Sequence, residues 1–236
     1  MLEPLGWLEG LTASGIILSA FIFGALSFYH AKKLNAKLLL YAGLIIVFIG
    51  LFWLGPFSDF LFVLITGHNL EPYPPVVGLY GLLSYVWVAP AIIVAMYLGG
   101  ELIMPKKKWY LIGVYTVLGV IFEYFLWFDT MGTFEFNPYI SGSQITDSSF
   151  NTSSVAFLLV ALFLVSVLIF EGIGFLIKAK QATGVLKKKF RFLSLGFTIF
   201  VVCGALDALV APGPLLGIIR GVMMTFALWM YLGLKA

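Results

Sequence analysis

Five ionisable side chains interrupt long apolar runs of this sequence: Glu101, Glu123, Glu171, Asp207 and Arg220. A charge in apolar surroundings is costly, so it is retained where it pairs, binds or carries a proton. Asp207 lies four residues before Ala211, and Arg220 six residues after Pro214. At 1.5 Å per residue both sit roughly 6–9 Å from the turn that joins their runs. That turn, Ala211-Pro212-Gly213-Pro214, folds the two runs into an antiparallel hairpin. Gly213, Gly217 and Gly221 recur every four residues, a small-residue ridge that permits close approach. A carboxylate–guanidinium pair between Asp207 and Arg220 follows. Glu123 lies at similar depth in its own run, on a face with Thr116, Gly119, Trp127 and Thr130 at helical spacing. Asp129 follows just beyond. Two carboxylates facing one guanidinium leave one acid over, free to take a proton or a cation. Arg220, Asp207, Glu123 and Asp129 are therefore the candidate ligand-binding residues. The plainer reading is a clamp that holds the hairpin shut.

Other chemistries are hard to build. His30 ends the first run and His68 follows the second, which returns the opposite way, so the two lie at opposite ends of the bundle and cannot share a haem or a metal. All twelve lysines lie in loops or at run ends, which excludes a retinal Schiff base in mid-helix. No HExxH, GxSxG or P-loop pattern occurs. Gly172-Ile173-Gly174 lacks the third glycine of a dinucleotide fingerprint and reads as helix packing. The single cysteine, Cys203, excludes an internal disulfide and a cysteine-based metal site. The expectation is a non-enzymatic protein with no cofactor and no metal.

The elements that must position these charges are membrane spans. Of the 236 residues, 61% are hydrophobic and 11% charged, against about 25% charged in soluble domains. Mean hydropathy is +1.06. No soluble core could hide so much apolar surface. Seven runs are each long enough to cross ~30 Å of hydrocarbon as a helix. They are read at 10–29, 38–55, 77–103, 109–128, 154–178, 191–210 and 214–234, one all-α transmembrane domain over 1–236. Period-2 alternation is absent, which argues against barrel strands.

Thirteen of the fourteen lysines and arginines fall in the 30–37, 104–108 and 178–191 segments or at Lys235. The alternate loops hold none. Positive-inside then sets the N-terminus outside and the C-terminus inside, a multi-pass protein of the cell membrane. The net charge of +3 is accordingly a topology signal, and nucleic acid is not an expected partner. Trp7, Trp53, Trp109, Trp127 and Trp229 are expected at the span ends as an aromatic belt. The first ten residues carry Glu3 and Glu9 and no basic stretch, so the first span is expected to be retained.

With that orientation Glu101 and Glu171 become inner-half polar candidates. Glu101 is close to Lys106 and is expected to snorkel toward it. Glu171 is deeper, seven residues before Lys178, with no partner in the sequence. Pro90 should kink the third span, with Ser84 re-satisfying the freed backbone. Phe57 to Thr66 is too short to cross and is expected as an interfacial or re-entrant helix, closed by Gly67-His68-Asn69. The segment from Met131 to Ser153 reads as a polar loop, and Asn151 as the N-cap of the fifth helix in preference to a glycosylation site. The basic 178–191 stretch, read as the longest inside loop, would meet anionic lipid or a soluble partner.

Met96-Tyr97-Leu98-Gly99 and Met230-Tyr231-Leu232-Gly233 repeat a tetrapeptide at the inner ends of the third and seventh spans. Gly43 and Gly50 match Gly196 and Gly204 in a similar way. A 3+1+3 parallel duplication would explain both. The layout of the whole chain resembles the stand-alone seven-helix membrane proteins of uncharacterised archaeal families. The stretch Phe192-Leu-Ser-Leu-Gly-Phe-Thr-Ile-Phe, continued to Asp207-Ala-Leu, resembles the seven-helix sensor regions that precede some histidine kinases. The resemblance brings no ligand and no catalytic residue, and this chain carries no kinase. The leading expectation is a receptor-like or sensor-like module with a small polar site in the outer half. The alternative is a small-solute or ion transporter built on the repeat. An intramembrane enzyme comes last, for want of a catalytic constellation.

Overall fold

Proline is tolerated in the first turn of a helix, where its missing N–H has no partner to lose. Pro4 takes that place here, and the first helix, α1, runs Pro4–Leu34 in the computed structural model, which describes residues 2–210 and 212–235. It ends on Asn35 in the left-handed conformation, beside Lys32 and Lys33 in the last turn. Six more helices follow: α2 Lys37–Thr66, α3 Leu79–Ile103, α4 Lys108–Phe128, α5 Val155–Gln181, α6 Gly184–Leu209 and α7 Pro214–Leu234. All seven are long and apolar enough to cross a membrane. The protein is an all-α, polytopic membrane bundle. The end that carries the N-terminus is called outer below, following the lysine and arginine asymmetry.

Neighbours in sequence are neighbours in space. α1 packs on α2, α2 on α3, α3 on α4, α5 on α6 and α6 on α7, while α7 closes the ring on α1 and also touches α2. One continuous core runs through this ring, with Phe122, Phe175, Phe197 and Phe226 fully buried in it. α4 lies at the rim: 22% of its apolar window is buried, against 50% for α2 and for α3. Its outward side chains, among them Val114, Val117 and Val120, are exposed to the lipid side.

Several expected boundaries move. The piece Phe57–Thr66 is no separate re-entrant helix but the outer end of α2. A 3-10 turn at Leu51–Trp53 admits Pro56 without breaking the rod. The amide of Gly55 donates to Ser84 Oγ of α3 (3.2 Å). As a result Trp53 is 5% exposed in the core and not in an aromatic belt, whereas Trp7, Trp109 and Trp127 are exposed near helix ends. Gly67 does close the helix, in the left-handed conformation that favours glycine. The basic stretch is not a long loop either. α5 continues to Gln181 and α6 begins at Gly184, so the lysines sit on two helix ends joined by Ala182 and Thr183. Lysine and leucine are good helix formers, and hydropathy alone cannot see a helix that continues into water.

α3 is broken at Val86–Trp87, between Leu79–Tyr85 and Val88–Ile103. Val86 is the residue whose carbonyl a proline at 90 would strike, four positions on. Ser84 does not mend that break: it donates to Tyr80 O (3.0 Å) on its own helix and accepts from α2. α7 is likewise in two pieces, Pro214–Met223 and Phe226–Leu234. α5 contains a π-helical segment, Leu168–Ile173.

The 131–153 segment is more ordered than a polar loop. One helical turn, Thr130–Thr133, leads into β1 Phe134–Phe136, which pairs antiparallel with β2 Ser148–Phe150. Asn151 is not the N-cap of α5. Ser154 is, accepting from Phe157 N (3.1 Å), because it directly precedes the first helical residue. Asn151 instead accepts from Ser153 N and donates to Gly132 O.

Candidate functional site

The hairpin of α6 and α7 brings Asp207 and Arg220 together at equal depth. Arg220 Nε donates to Asp207 Oδ1 (2.6 Å) and Nη2 to Oδ2 (3.4 Å). The two-pronged geometry uses the planar fork of guanidinium. Arg220 is 7% exposed, so the pair is shielded from competing water. The glycine ridge of α7 does not make this contact. Gly217 faces Leu8 of α1, and a Cβ at Gly221 would meet nothing within 4 Å. Close approach of α6 and α7 occurs lower down, where Gly196 lies against Met230 and the Phe226 carbonyl, and Gly233 against Leu193.

The third member of the cluster comes from α1. Arg220 Nη1 donates to the backbone carbonyl of Glu9 (3.4 Å). The Glu9 carboxyl lies in electrostatic reach of Arg220, Asp207 and Asp147. Yet the ion pairs formed among the described residues are Asp207–Arg220 and Glu101–Lys108 alone. Glu9 is thus the acid left over. Tyr80 and Tyr85 of α3 lie in the same field. The cluster ties α1, α6 and α7 together beside the outer piece of α3.

Glu123 does not reach it. α4 packs against α3 and α5, and the Glu123 carboxyl accepts from Trp127 Nε1 one turn along its own helix (3.0 Å). Its other oxygen is buried without a partner. Spacing along α4 does not fix its place around the ring, and there α4 stands against α3 and α5. Asp129 also stays apart. It ends α4, with its carboxylate folded over Gly132.

In the inner half, Glu101 pairs with Lys108 and not with Lys106. Lys108 opens α4 and stands over the rings of Tyr97 and Trp109, at 5.3 Å from each centroid. Glu171 is 0% exposed, and both its carboxyl oxygens lack a hydrogen-bond partner. Its Oε1 occupies the space that a side chain at Gly99 of α3 would fill.

Two polar residues escaped sequence reading. The first apolar run begins after Glu9, although Pro4 marks a helix that already includes it. Asp59 lies in the Phe57–Thr66 piece, expected as an interfacial or re-entrant helix outside the second span. In fact it sits on α2, 0% exposed, and knots the outer loops together. It accepts from Leu70 N (2.7 Å), Asn69 Nδ2 (2.8 Å) and Thr146 N (2.7 Å). Asn69 in turn accepts from Gly142 N and donates to Gln144 O. The Glu71 carboxylate receives Val77 N and Leu79 N at the start of α3. Tyr139 donates to the Glu71 carbonyl (3.0 Å), and burial pushes its hydroxyl above the usual range, which keeps it a neutral donor. These bonds make a cap over the outer end of the bundle.

Among the described residues no group of three or more His, Cys, Asp and Glu side chains could hold a metal ion. No protein-family model matches the chain, and no curated protein matches it at a significant level. The class that fold and site define is a seven-helix membrane protein with a closed polar cluster under an ordered outer cap.

Proposed function

We infer that this protein is a receptor-like module of the cell membrane, non-enzymatic, whose outer cluster responds to a small polar or charged ligand. The observation that carries this is the unequal charge count at the junction of α1, α6 and α7. Arg220 is engaged by Asp207, while Glu9 stands beside them outside ion-pairing distance. An anion that draws Arg220 away, or a cation that engages Glu9, changes how α1 meets α7. α7 is built to pass that change inward. Its break at Met224–Thr225 lies one turn below Arg220, and Ser19 Oγ of α1 donates to the Met224 carbonyl there (2.6 Å). At the inner end Tyr231 of α7 meets His30 of α1 through a hydroxyl–imidazole contact (3.2 Å). The basic helix ends nearby offer anionic lipid or a soluble partner a place to read the shift.

The experiment is a distance measurement between spin labels at the inner ends of α1 and α7. Lys33→Cys and Lys235→Cys are introduced in a Cys203→Ala background, and the outer cluster is altered by Arg220→Met or Glu9→Gln. The receptor-like reading expects the distance distribution at the inner end to change. If stability falls while the inner distance stays put, the cluster is a clamp and no more.

A second reading, a small-solute or ion transporter, rests on one observation. Both Met-Tyr-Leu-Gly segments bury their methionine and their glycine at the inner end of the bundle, Met96 with Gly99 and Met230 with Gly233. That is the behaviour of equivalent positions in a 3+1+3 duplication. Ion flux in liposomes containing the pure protein, lost in Arg220→Met, would favour this reading over the first.

A further inference from the structure

Glu171 has no role in the outer cluster, and among the described residues no counter-charge or hydrogen-bond donor accounts for an acid at this buried position. A buried carboxylate normally has a cation, or several N–H donors, to replace water. Glu171 has neither, since both oxygens are buried and unpartnered. Of the ionisable groups on the elements packed against it, Asp207 of α6 is paired with Arg220 at the outer end. Lys187, Lys188, Lys189 and Arg191 stand at the inner end of α6 and make no ion pair with Glu171. On α3, Glu101 is held by Lys108, and Tyr97 packs on Tyr41 and Trp109. On α6 the polar neighbours are Ser194, which donates to the Gly172 carbonyl (2.6 Å), and Thr198, whose hydroxyl lies over Gly172. On α5 itself the next charge is Lys178, seven residues on.

Two features mark the position as built. First, Glu171 sits within the π-helical segment of α5. Such segments concentrate at functional sites, because the widened turn leaves carbonyls short of N–H partners. The Ser194 hydroxyl answers one of these carbonyls. Second, Gly99 gives up its side-chain volume to the carboxyl, so the acid itself fills the gap between α3 and α5. One turn further along α5 stands Phe175, fully buried against Phe190 and Phe197, an apolar plug on the inner side.

We propose that Glu171, set in the π-turn of α5 against Gly99 of α3, is an intramembrane proton-binding site in the inner half of the bundle. The bound species is the proton itself, held as a neutral carboxylic acid, because the carboxyl fills the space a hydrated or bare metal cation would need. Release requires α5 to part from α3 at the π-turn, which brings water to the carboxyl. Uptake and release of the proton are thereby coupled to how these two helices pack. The site is independent of the outer cluster and stands or falls without it.

Infrared spectroscopy of the purified full chain in nanodiscs tests this directly. At neutral pH the spectrum should contain the carbonyl band of a protonated carboxyl, lost in Glu171→Gln and retained in Glu123→Gln and Glu9→Gln. The band should fade reversibly as the pH is raised. Should Glu171→Gln fail to fold, labelling of the native chain with an apolar carbodiimide replaces it. That reagent adds the O–H of a protonated carboxyl across its C=N bond, and the adduct rearranges to a stable acylurea with no leaving group. Peptide mapping should find it on Glu171 at neutral pH, and less of it at alkaline pH. A Glu171 with carboxylate bands alone and no adduct overturns the proposal. So does a band that sodium chloride shifts at constant pH, the mark of a cation site, and so does a band that no pH removes.

Discussion

Asp207 and Arg220 stabilise one another mainly by sparing each other an unpaired existence. Removing one partner of a buried pair costs about 3–5 kcal/mol in soluble cores, because the survivor keeps its burial and loses its counter-charge. The figure is smaller where a charge can snorkel or draw in water. Asp207→Ala alone should therefore lower the melting temperature more than Asp207→Ala combined with Arg220→Met. Strict additivity in that thermal-stability cycle would mean the pair contributes nothing. Glu123→Gln should leave the coupling energy unchanged, since Glu123 bonds to Trp127 on its own helix. Glu9→Gln should alter it. The pair was legible because two helices joined by a Pro-Gly-Pro turn have fixed relative depth. Glu9 was not, because hydropathy places a helix start where apolar residues begin, whereas the chain starts its helix at Pro4. Glu123 was misplaced for a different reason: spacing along one helix gives depth but not the order of helices around a ring.

At the scale of elements, the cap and the glycine contacts make distinct demands. Asp59→Ala removes three hydrogen bonds at once, from Leu70, Asn69 and Thr146. Each orphaned donor costs about 1–3 kcal/mol where it stays buried. Hydrogen exchange should then speed up in both outer loops, 67–78 and 139–147, even though they are some 70 residues apart in sequence. Acceleration confined to the neighbours of position 59 would show the cap is held by something else. The two faces of the glycines differ in the same testable way. Gly196→Ala would drive a methyl into Met230 and the Phe226 carbonyl, and should lower the melting temperature. Gly221→Ala meets nothing within 4 Å and should hold or raise it, by up to ~1 kcal/mol of helix propensity. The seven spans were readable from hydropathy, since each must satisfy its own backbone across the bilayer. Their true ends were not. Pro56 looked like a breaker, but a 3-10 turn and the Ser84 hydroxyl absorb it. The 178–191 lysines looked like a loop, but they extend α5 and α6 into water.

For the whole molecule, orientation decides what the two ends can do. With the basic helix ends inside, the proposed contact of Lys187, Lys188 and Lys189 with an anionic leaflet is worth about 1 kcal/mol for each near its surface. Replacing all three with glutamine should weaken retention of the protein's inner face on anionic lipid, measured as lost enrichment of anionic over zwitterionic lipid around the bundle. Unchanged enrichment would reduce the segment to a topology signal. A receptor-like role requires a cluster that faces outside and basic helix ends that face inside. Accessibility of single cysteines in intact cells tests that arrangement most directly. In a Cys203→Ala background, Ser149→Cys lies on the exposed outer hairpin and Lys180→Cys on the exposed inner end of α5. A membrane-impermeant maleimide should label position 149 in intact cells and position 180 only after the membrane is opened. Labelling of position 180 in intact cells, with position 149 protected, would invert the molecule and contradict an outer sensing site.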